Sequence, residues 1–410
     1  MTLFVFVAIF LLIDAYVFQA VIQVSKDWSL LWKQTFRIGF WIPTVISIAG
    51  LLWWTFSDPY KGTDYLRIYV LAGSAILYFS KLFAVLFLLV DDLQRGIRWV
   101  ARYFSKDATS LPGEAITRSE FLSNAALVAT AVPLGLSVYG VITGAHDYRI
   151  KRVALRLANL PKSFDGIRIG QLSDIHAGSF WNQTAVKGGV EMLMKEKPDL
   201  IFFTGDLVNN QASEVKDYLA IFEKIKAPLG VFSITGNHDY GDYHPWPSEQ
   251  AKRKNFSDFI QAHKILGYDL LMNEHRMIQQ GGDKLAIIGI ENWGARRFSK
   301  YGKLEKAYAG TEEAATKILL SHDPTSWDAI VRTAHQDIDL TLSGHTHGFQ
   351  FGVEIANIQW SPCQYVYKQW AGLYQQDSQY LYVNRGFGYL GYPGRIGMPP
   401  ELTIIELKRA

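Results

Sequence analysis

The stretch LTLSGHTHGFQ, residues 340–350, ends an apolar run in two histidines that are separated by a single residue. The run has the composition of a buried β-strand, and Gly344 stops it. A strand that ends in this way places two imidazoles, which are common metal ligands, at the edge of a sheet. The stretch therefore predicts a strand and part of a metal site together.

Four other apolar runs end in the same manner, and each predicts a strand followed by polar side chains. The runs are IRIGQLSD (167–174), LIFFTGD (200–206), GVFSITGNHD (230–239) and KILLSHDP (317–324). The polar residues at their ends are Asp174 and His176, Asp206, Asn237 with His238 and Asp239, and His322. Each one alone has the ordinary interpretation of a turn, a helix start or a structural histidine. Because ligands of α/β sheets bind beyond the carboxyl ends of the strands, five such ends together predict one site.

The side chains at these strand ends are carboxylate, amide and imidazole groups, and none is a thiolate. Such a set suits divalent Mn, Fe or Zn. The ligands are too many for one ion, whereas two ions that share one aspartate account for all of them. Two ions at this distance hold a bridging hydroxide and clamp the oxygens of a phosphoryl group. The residues therefore predict hydrolysis of a phosphate ester at a dimetal centre.

The motifs D-x-H, G-D, G-N-H-D, a lone His and G-H-T-H, in this order, resemble the calcineurin-like metallophosphoesterase superfamily over about residues 167–407. The resemblance implies an α/β fold, a sandwich of two mixed β-sheets flanked by helices. It implies a first metal bound by Asp174, His176 and His347, and a second bound by Asn237, His322 and His345. Asp206 would bridge the two ions. His238 would protonate the leaving group or stabilise the transition state, and Asp239 would orient His238.

Two later stretches are similar to the YkuE/YaeI-like phosphodiesterases, which are related to UDP-diacylglucosamine pyrophosphatases. They are VNRGFG (383–388) and RIGMPPELTIIEL (395–407). The family's G-H-T-H-G-G-Q reads G-H-T-H-G-F-Q here, so Phe349 is expected to narrow the rim of the site. ITRSEFL (116–122) resembles a twin-arginine export signal, but Ser119 replaces the second arginine, which speaks against export by that route.

The first third of the chain contains four long apolar segments, 3–24, 38–56, 68–90 and 121–142. Each has the length that a helix needs to cross a bilayer, and none keeps the polar stripe of a helix buried in a soluble bundle. Residues 1–146 are therefore predicted to form a membrane region of about four transmembrane helices, and residues 147–410 to form the catalytic domain. The expected location is the inner membrane of a bacterium, with the lipid bilayer as a partner.

Basic residues between the segments predict the orientation. Those between the first and second segments are Lys26, Lys33 and Arg37, and those between the third and fourth are Arg95, Arg98, Arg102, Lys106 and Arg118. The positive-inside bias makes these two loops cytoplasmic, which places the catalytic domain on the extracytoplasmic side. Arg149, Lys151 and Arg152, directly after the fourth segment, favour the opposite side.

Two ionisable residues, Asp14 and Lys81, lie inside the predicted spans. Either one alone in lipid is costly. If their helices run in the same direction, their depths differ by roughly 3 Å, so the two residues are predicted to pair. The alternative is a Lys81 that reaches the interface and a protonated Asp14.

The sequence thus predicts a membrane-anchored dimetal phosphodiesterase or pyrophosphatase in which His238 is the general acid. The expected substrate is a lipid-linked or cell-envelope phosphate. The alternatives are a phosphomonoesterase or nuclease of the same superfamily, and a membrane scaffold or sensor with a silent site. A net charge of +3 without a basic stripe disfavours nucleic acid. Aromatic residues at 239–247 and 358–374 fit either a lipid-bearing substrate or loop packing.

Overall fold

The computed structural model describes residues 2–57, 65–104, 118–296, 298–355 and 358–410. Two compact units divide these residues, one that reaches Tyr139 and one that runs from Gly140 to Ala410. The first unit is built from apolar helices, and the second combines sheets and helices.

Five helices lie in the first unit, and only the last few residues of the fifth extend beyond it. They are α1 (Thr2–Val24), α2 (Leu30–Gly39), α3 (Ile42–Phe56), α4 (Tyr65–Phe104) and α5 (Glu120–Ile142). Among the described residues, four stretches are long and apolar enough to cross a membrane, namely Leu3–Val24, Leu30–Phe56, Tyr69–Ala101 and Glu120–His146. The second stretch consists of two helices, because the helical structure is interrupted at Phe40 and Trp41. The helix α3 then begins at Ile42, with Pro43 in its first turn. The third continues as α4 well beyond residue 90, where the apolar segment of the sequence ends.

Asp14 and Lys81 form a buried ion pair, so the predicted pairing is confirmed. The Oδ1 atom of Asp14 accepts a hydrogen bond from Lys81. Its Oδ2 atom accepts one from Thr44 Oγ1 at 2.6 Å and another from Tyr78 OH at 2.7 Å. The carboxylate therefore joins α1 to α3 and α4, and its oxygens are well supplied with donors, as a buried charge requires.

Replacing Asp14 by alanine should leave the Lys81 charge buried without its partner and destabilise the membrane unit by about 3–5 kcal/mol. The measurement is the yield of folded full-length protein in detergent. The exchanged variant, Asp14→Lys with Lys81→Asp, should recover much of that yield, whereas Thr44→Val should cost only about 1 kcal/mol. A yield of the exchanged variant no better than that of Asp14→Ala would contradict a pairwise role.

Arg118, the arginine of the export-like motif, lies in a second polar network of the membrane unit. Its guanidinium contacts Asp91 at 3.2 Å and Asp92 at 3.1 Å, and it donates to Gln19 Oε1 at 2.8 Å. These contacts tie the start of α5 to α4 and α1. Arg118 therefore has a structural role within the membrane unit, which agrees with the departure from the export motif at Ser119.

The second unit contains fourteen strands among the described residues. They are β1 (Arg149–Leu157), β2 (Arg168–Leu172), β3 (Leu200–Phe203), β4 (Val231–Ser233), β5 (Asp269–Leu270), β6 (Glu274–Gln280), β7 (Asp283–Gly289), β8 (Thr316–Leu320), β9 (Leu340–Ser343), β10 (Val353–Ile355), β11 (Ile358–Trp360), β12 (Gly372–Gln376), β13 (Gln379–Val383) and β14 (Glu401–Arg409). Its α-helices are α6 (Gln183–Lys195), α7 (Leu219–Phe222), α8 (Glu249–Leu266), α9 (Leu304–Tyr308) and α10 (Arg332–Ala334).

Two six-stranded sheets form the frame of this unit. The first has the order β1-β14-β2-β3-β4-β5, and the second has the order β12-β13-β9-β8-β7-β6. Both are mixed, since β14 is antiparallel to β2 and β6 is antiparallel to β7 within otherwise mainly parallel sheets. One apolar core, with Ile169 and Phe202 from the first sheet and Ile287 and Ile318 from the second, lies between them. The predicted two-sheet sandwich is confirmed.

Helices cover the outer faces of the sandwich. The helices α6, α7 and α8 pack on the first sheet through a core that contains Val190, Phe222 and Phe259. The side chains Leu304 and Val331, near α9 and α10, pack on the second sheet. The apolar side chains Val215, Tyr218 and Phe222 recur at the spacing of a helix and are buried, but they belong to a 3₁₀ segment, Ala212–Tyr218, and to the single turn α7 that follows it.

The strand β14, the last in the chain, lies inside the first sheet between β1 and β2. It pairs in parallel with β1, the strand that follows the last membrane helix, and antiparallel with β2. The register runs from Arg149 opposite Glu401 to Leu157 opposite Arg409. The beginning and the end of the catalytic domain are therefore neighbours in one sheet.

Candidate active site

The candidate site lies where five strands end at one edge of the sandwich. Residues after β2, β3 and β4 come from the first sheet, and residues after β8 and β9 come from the second. The predicted ligands stand two to four residues beyond these strands. Both sheets therefore contribute to the site, and the strands that had been identified by their polar ends do converge.

Six of the predicted ligands form two compact groups. Asp174, His176 and His347 make one group, and Asp206, His322 and His345 make the other. Within each group, one ligand atom from every residue lies within 4.8 Å of the others. These groups contain every residue that the family resemblance assigns to the two ions and their bridge except the amide Asn237.

Asp206 is the residue that lies between the two groups. Its Oδ2 atom is 3.1 Å from His322 Nε2 and 3.5 Å from His176 Nε2. Its Oδ1 atom accepts a hydrogen bond from the backbone N–H of His238 at 2.9 Å. One carboxylate thus contacts a histidine of each group, as a bridging ligand must.

Neighbouring oxygens fix the orientation of two of the histidines. His176 Nδ1 lies 3.1 Å from Asn209 Oδ1, and His322 Nδ1 lies 2.7 Å from the Thr204 carbonyl oxygen. A carbonyl oxygen only accepts hydrogen bonds, so each Nδ1 carries a proton, and in the neutral ring Nε2 has the lone pair that a metal would use. Asn209 orients His176 in this way, and only its position shortly after Asp206 could have indicated this role.

His345 has a different arrangement. Its Nε2 atom lies 3.0 Å from Tyr367 OH and 3.7 Å from the carboxylate of Asp323. This leaves Nδ1 as the nitrogen that is available to a metal. A carboxylate behind a ligating histidine is a common way to orient the ring and raise its basicity. Asp323 follows His322 directly in SHDP, a motif that on its own predicts only the start of a helix.

Asn237 supplies the test of whether a metal fits. It lines the same cavity as His176 and Asp206. Its amide nitrogen donates to Tyr243 OH at 3.1 Å, which fixes the side chain. Its Oδ1 atom is buried and has no hydrogen-bond partner among the described residues. Such a buried oxygen is costly without a partner, and a divalent cation held by Asn237, His322 and Asp206 would supply one.

The charges within the site are strongly coupled. Burial would lower the pKa of His322, but the charge of Asp206 outweighs it and raises this pKa to about 10. Burial would raise the pKa of Asp206, and the charge of His322 reverses that direction and holds it well below the usual value. In the metal-free protein, His322 therefore carries a proton that a metal must displace, since a ligating imidazole is neutral.

The backbone at the site is strained. Five of the predicted ligands have positive φ angles, in the region that side chains other than glycine rarely adopt, namely Asp174 (53°), His176 (49°), Asp206 (60°), His345 (71°) and His347 (51°). Each such residue costs on the order of 1 kcal/mol. Strain of this kind persists where the surrounding fold holds a functional geometry, and here it coincides with the ligand set.

His238 and Asp239 lie beside the two groups, but the predicted relation between them is wrong. His238 Nδ1 donates to the carbonyl oxygen of Asn209 at 2.8 Å, so Asn209 orients the ring. The Asp239 carboxylate instead accepts backbone hydrogen bonds from Asp206 at 2.9 Å, Leu207 at 2.8 Å and Gly236 at 2.8 Å. Asp239 therefore shapes the loop that carries Asp206, because a short acidic side chain can satisfy several buried N–H groups at once.

The two groups open into a cavity of about 420 Å³ with an apolar rim. Phe298, Phe349, Tyr367, Leu390 and Tyr392 line it together with five of the seven predicted ligands. Phe349 is half exposed at the rim, where it was expected.

The three tryptophans of the aromatic stretches differ in their surroundings. Trp370 is buried in a small core with Cys363 and Met398, so loop packing explains it. Trp246 is half-buried and donates to the Gly241 carbonyl oxygen. Only Trp360, of these three, is exposed.

Comparisons with known proteins agree with this geometry. Residues 167–349 match the family model "Calcineurin-like phosphoesterase", and residues 1–145 match "Probable Calcineurin-like phosphoesterase, transmembrane domain". The chain is 32% identical over 308 residues to "Transmembrane protein with metallophosphoesterase domain" of Danio rerio, across 72% of this chain and 65% of that protein. It is 29% identical over 301 residues to "Uncharacterized metallophosphoesterase YkuE" of Bacillus subtilis, across 72% of this chain and 98% of that protein.

The chain thus spans slightly less than two thirds of the zebrafish relative. A solved structure, the sulfate thiohydrolase SoxB of Thermus thermophilus, matches with a TM-score of 0.35 and 13% identity, over 61% of this chain and 57% of that one. The family matches, the four candidate spans and the two ligand groups together identify the chain as a membrane protein of the calcineurin-like metallophosphoesterases, with a transmembrane domain ahead of its phosphoesterase domain.

Proposed function

We propose that this protein is a membrane-anchored dimetal phosphodiesterase or pyrophosphatase. The observation that carries the proposal is the carboxylate of Asp206 between two groups of ligands, beside a cavity that His238 also lines. Two divalent ions, when bound, supply an activated water and positive charge for the phosphoryl oxygens. Mn, Fe and Zn suit the donors, with Asp174, His176 and His347 as ligands of one ion and Asn237, His322 and His345 as ligands of the other.

His238 is proposed to donate the proton to the leaving group. Its Nδ1 atom is held by the Asn209 carbonyl oxygen, and its backbone N–H is held by Asp206. The remaining ring nitrogen, Nε2, is therefore the one that can protonate an oxygen of the substrate. Because both the ring and the backbone of His238 are held, Nε2 keeps one orientation toward the cavity, as proton transfer requires.

The charge of the cavity favours a phosphodiester or pyrophosphate over a phosphomonoester. No lysine or arginine occurs among the described residues that line the cavity. A monoester places two negative charges beside the metals and usually meets additional cationic side chains, whereas a diester carries one charge. The aromatic and aliphatic rim supports a substrate with an apolar group near its phosphate, such as a lipid-linked or cell-envelope phosphate.

The experiment uses the full-length protein purified in detergent, stripped of metal and supplied with Mn, Zn, Fe or Mg. We expect hydrolysis of bis-p-nitrophenyl phosphate that depends on metal and exceeds hydrolysis of p-nitrophenyl phosphate. Asn237→Ala should lower the diester rate by about a hundredfold, since it removes a metal ligand. Preference for the monoester would point to a phosphomonoesterase. Two bound ions with no hydrolysis of either ester would point to a scaffold or sensor.

The catalytic domain is proposed to lie on the extracytoplasmic side of a bacterial inner membrane. The basic residues that opposed this orientation have acidic partners within the domain. Arg149 contacts Asp147 at 2.7 Å, Lys151 contacts Glu354 at 2.7 Å, and Arg152 contacts Glu196 at 2.6 Å. Residues that form these pairs have a structural reason to follow the last span, so they weigh less in the positive-inside bias.

A cysteine at the exposed position Lys254 reports the orientation, because the natural Cys363 is buried. In intact cells, Lys254→Cys should react with a maleimide that cannot cross the membrane. Reaction only after the cells are opened would place the catalytic domain in the cytoplasm.

A further inference from the structure

The small sheet formed by β10 and β11 carries its apolar side chains on the face that points away from the domain. Val353 pairs with Trp360, and Ile355 pairs with Ile358. Paired residues share a face of a sheet, so these four side chains and Phe351, two residues before Val353, lie on one side. All five are exposed, from 37% for Trp360 to 68% for Ile355. We call these five residues the apolar hairpin face.

The opposite side of the hairpin is the side that contacts the domain. Glu354, which lies between Val353 and Ile355, pairs with Lys151 of β1 at 2.7 Å and approaches Arg385 at 3.5 Å. In a soluble domain, a two-stranded sheet normally buries its apolar face and exposes its polar one. Here the order is reversed, and a contiguous exposed apolar patch of this kind marks a contact site.

The base of the hairpin lies beside the end of the last candidate membrane span. Gly140, near the end of α5, accepts a hydrogen bond from the backbone of Arg395 at 3.1 Å. The next residue, Ile396, accepts one from Gly352 at 2.9 Å and donates one to Gln350 at 2.8 Å. The adjacent residues Arg395 and Ile396 therefore connect the end of α5 with the residues that lead into β10.

We propose that the apolar hairpin face rests in the membrane interface of the same bilayer that α5 crosses. An element attached at the exit of a span lies at the level of the lipid headgroups, where exposed aliphatic and tryptophan side chains are favourable. The face carries no charged side chain, and its five residues suit shallow insertion. Phe349, at the rim of the candidate cavity, lies two residues before Phe351, so the cavity would open close to the lipid headgroups.

A direct test uses the full-length chain in nanodiscs of phosphatidylethanolamine and phosphatidylglycerol. Ile355→Cys, in a Cys363→Ser background, is labelled with an environment-sensitive fluorophore, and Lys254→Cys serves as the matched control on α8. We expect the label at 355 to shift to shorter wavelength and to be quenched by a spin-labelled phospholipid, and the label at 254 to do neither. A label at 355 that behaves like the control overturns the proposal. So does a disulfide-linked dimer through position 355, which would show that a second copy covers the face.

A second test separates this contact from the chemistry of the site. The double variant Ile355→Thr/Ile358→Thr exposes less apolar area, and its β-branched threonines preserve the β-strand propensity of the two positions. Activity on a phospholipid-linked phosphodiester in vesicles should fall by roughly tenfold, and activity on bis-p-nitrophenyl phosphate should be unchanged. An equal fall on both substrates, or none on either, overturns the role of the hairpin in access to lipid. Loss of all activity in the unmodified protein would instead reject the proposed function and leave the fluorescence result valid.

Discussion

Replacement of His238 by alanine should slow the cleavage of an alkyl phosphodiester by about 10²- to 10⁴-fold. An alkoxide is a poor leaving group and needs a proton as the P–O bond breaks, and His238 is the residue placed to supply it. The same variant should cleave bis-p-nitrophenyl phosphate at a rate within about tenfold of the unchanged protein, since nitrophenolate leaves without a proton. The measurement is kcat/KM for both diesters under saturating metal.

His244→Ala is the matched control. His244 belongs to the same loop but contacts Gln211 and Trp246 and is absent from the cavity lining among the described residues. It should leave both rates nearly unchanged. If His238→Ala lowers both rates by the same factor, the ring of His238 positions the substrate, and another group donates the proton.

Replacement of Asp206 by alanine should lower the rate of hydrolysis of any diester by about a thousandfold or more. The physical reason is that this carboxylate contacts His322 of one group and His176 of the other. Its loss also leaves a backbone N–H of His238 without an acceptor and removes a negative charge that both cations need. The bound metal, counted by mass spectrometry of the purified protein, should fall from two ions to one or none.

Asp199→Asn provides the control on the same strand. Asp199 precedes β3 at the end opposite to Asp206, and it accepts a hydrogen bond from the backbone of Arg168 at 2.8 Å. It should keep two ions and full activity. Retention of two ions by Asp206→Ala would mean that the two groups bind metal independently and that the carboxylate does not bridge them.

The sandwich and the ligand types were predictable because their signals are local. Each predicted ligand stands two to four residues after a run of apolar residues, as His345 does after LTLS and Asp206 does after LIFF. The pairing of Asp14 with Lys81 was predictable for a similar reason, since the lengths of two apolar segments define their depths.

The remaining features depend on contacts between distant residues. Asn209 orients both His176 and His238, and nothing in its own surroundings in the sequence indicates this. Asp239 follows His238 in the chain, yet its carboxylate turns to the loop of Asp206, because four buried N–H groups converge there. The outward orientation of the apolar hairpin face depends on the pairing of Glu354 with Lys151, about two hundred positions earlier.

The position of β14 between β1 and β2 affects how the protein can be made. A ribosome produces the membrane helices and β1 long before residues 401–409, so the nascent chain is anchored while the slot between β1 and β2 is still vacant. Until β14 emerges, two strand edges stay open at the surface of the bilayer, where neighbouring nascent chains are concentrated. A chain whose translation stopped before residue 401 would remain anchored with an incomplete first sheet. Membrane proteases would readily degrade such a chain.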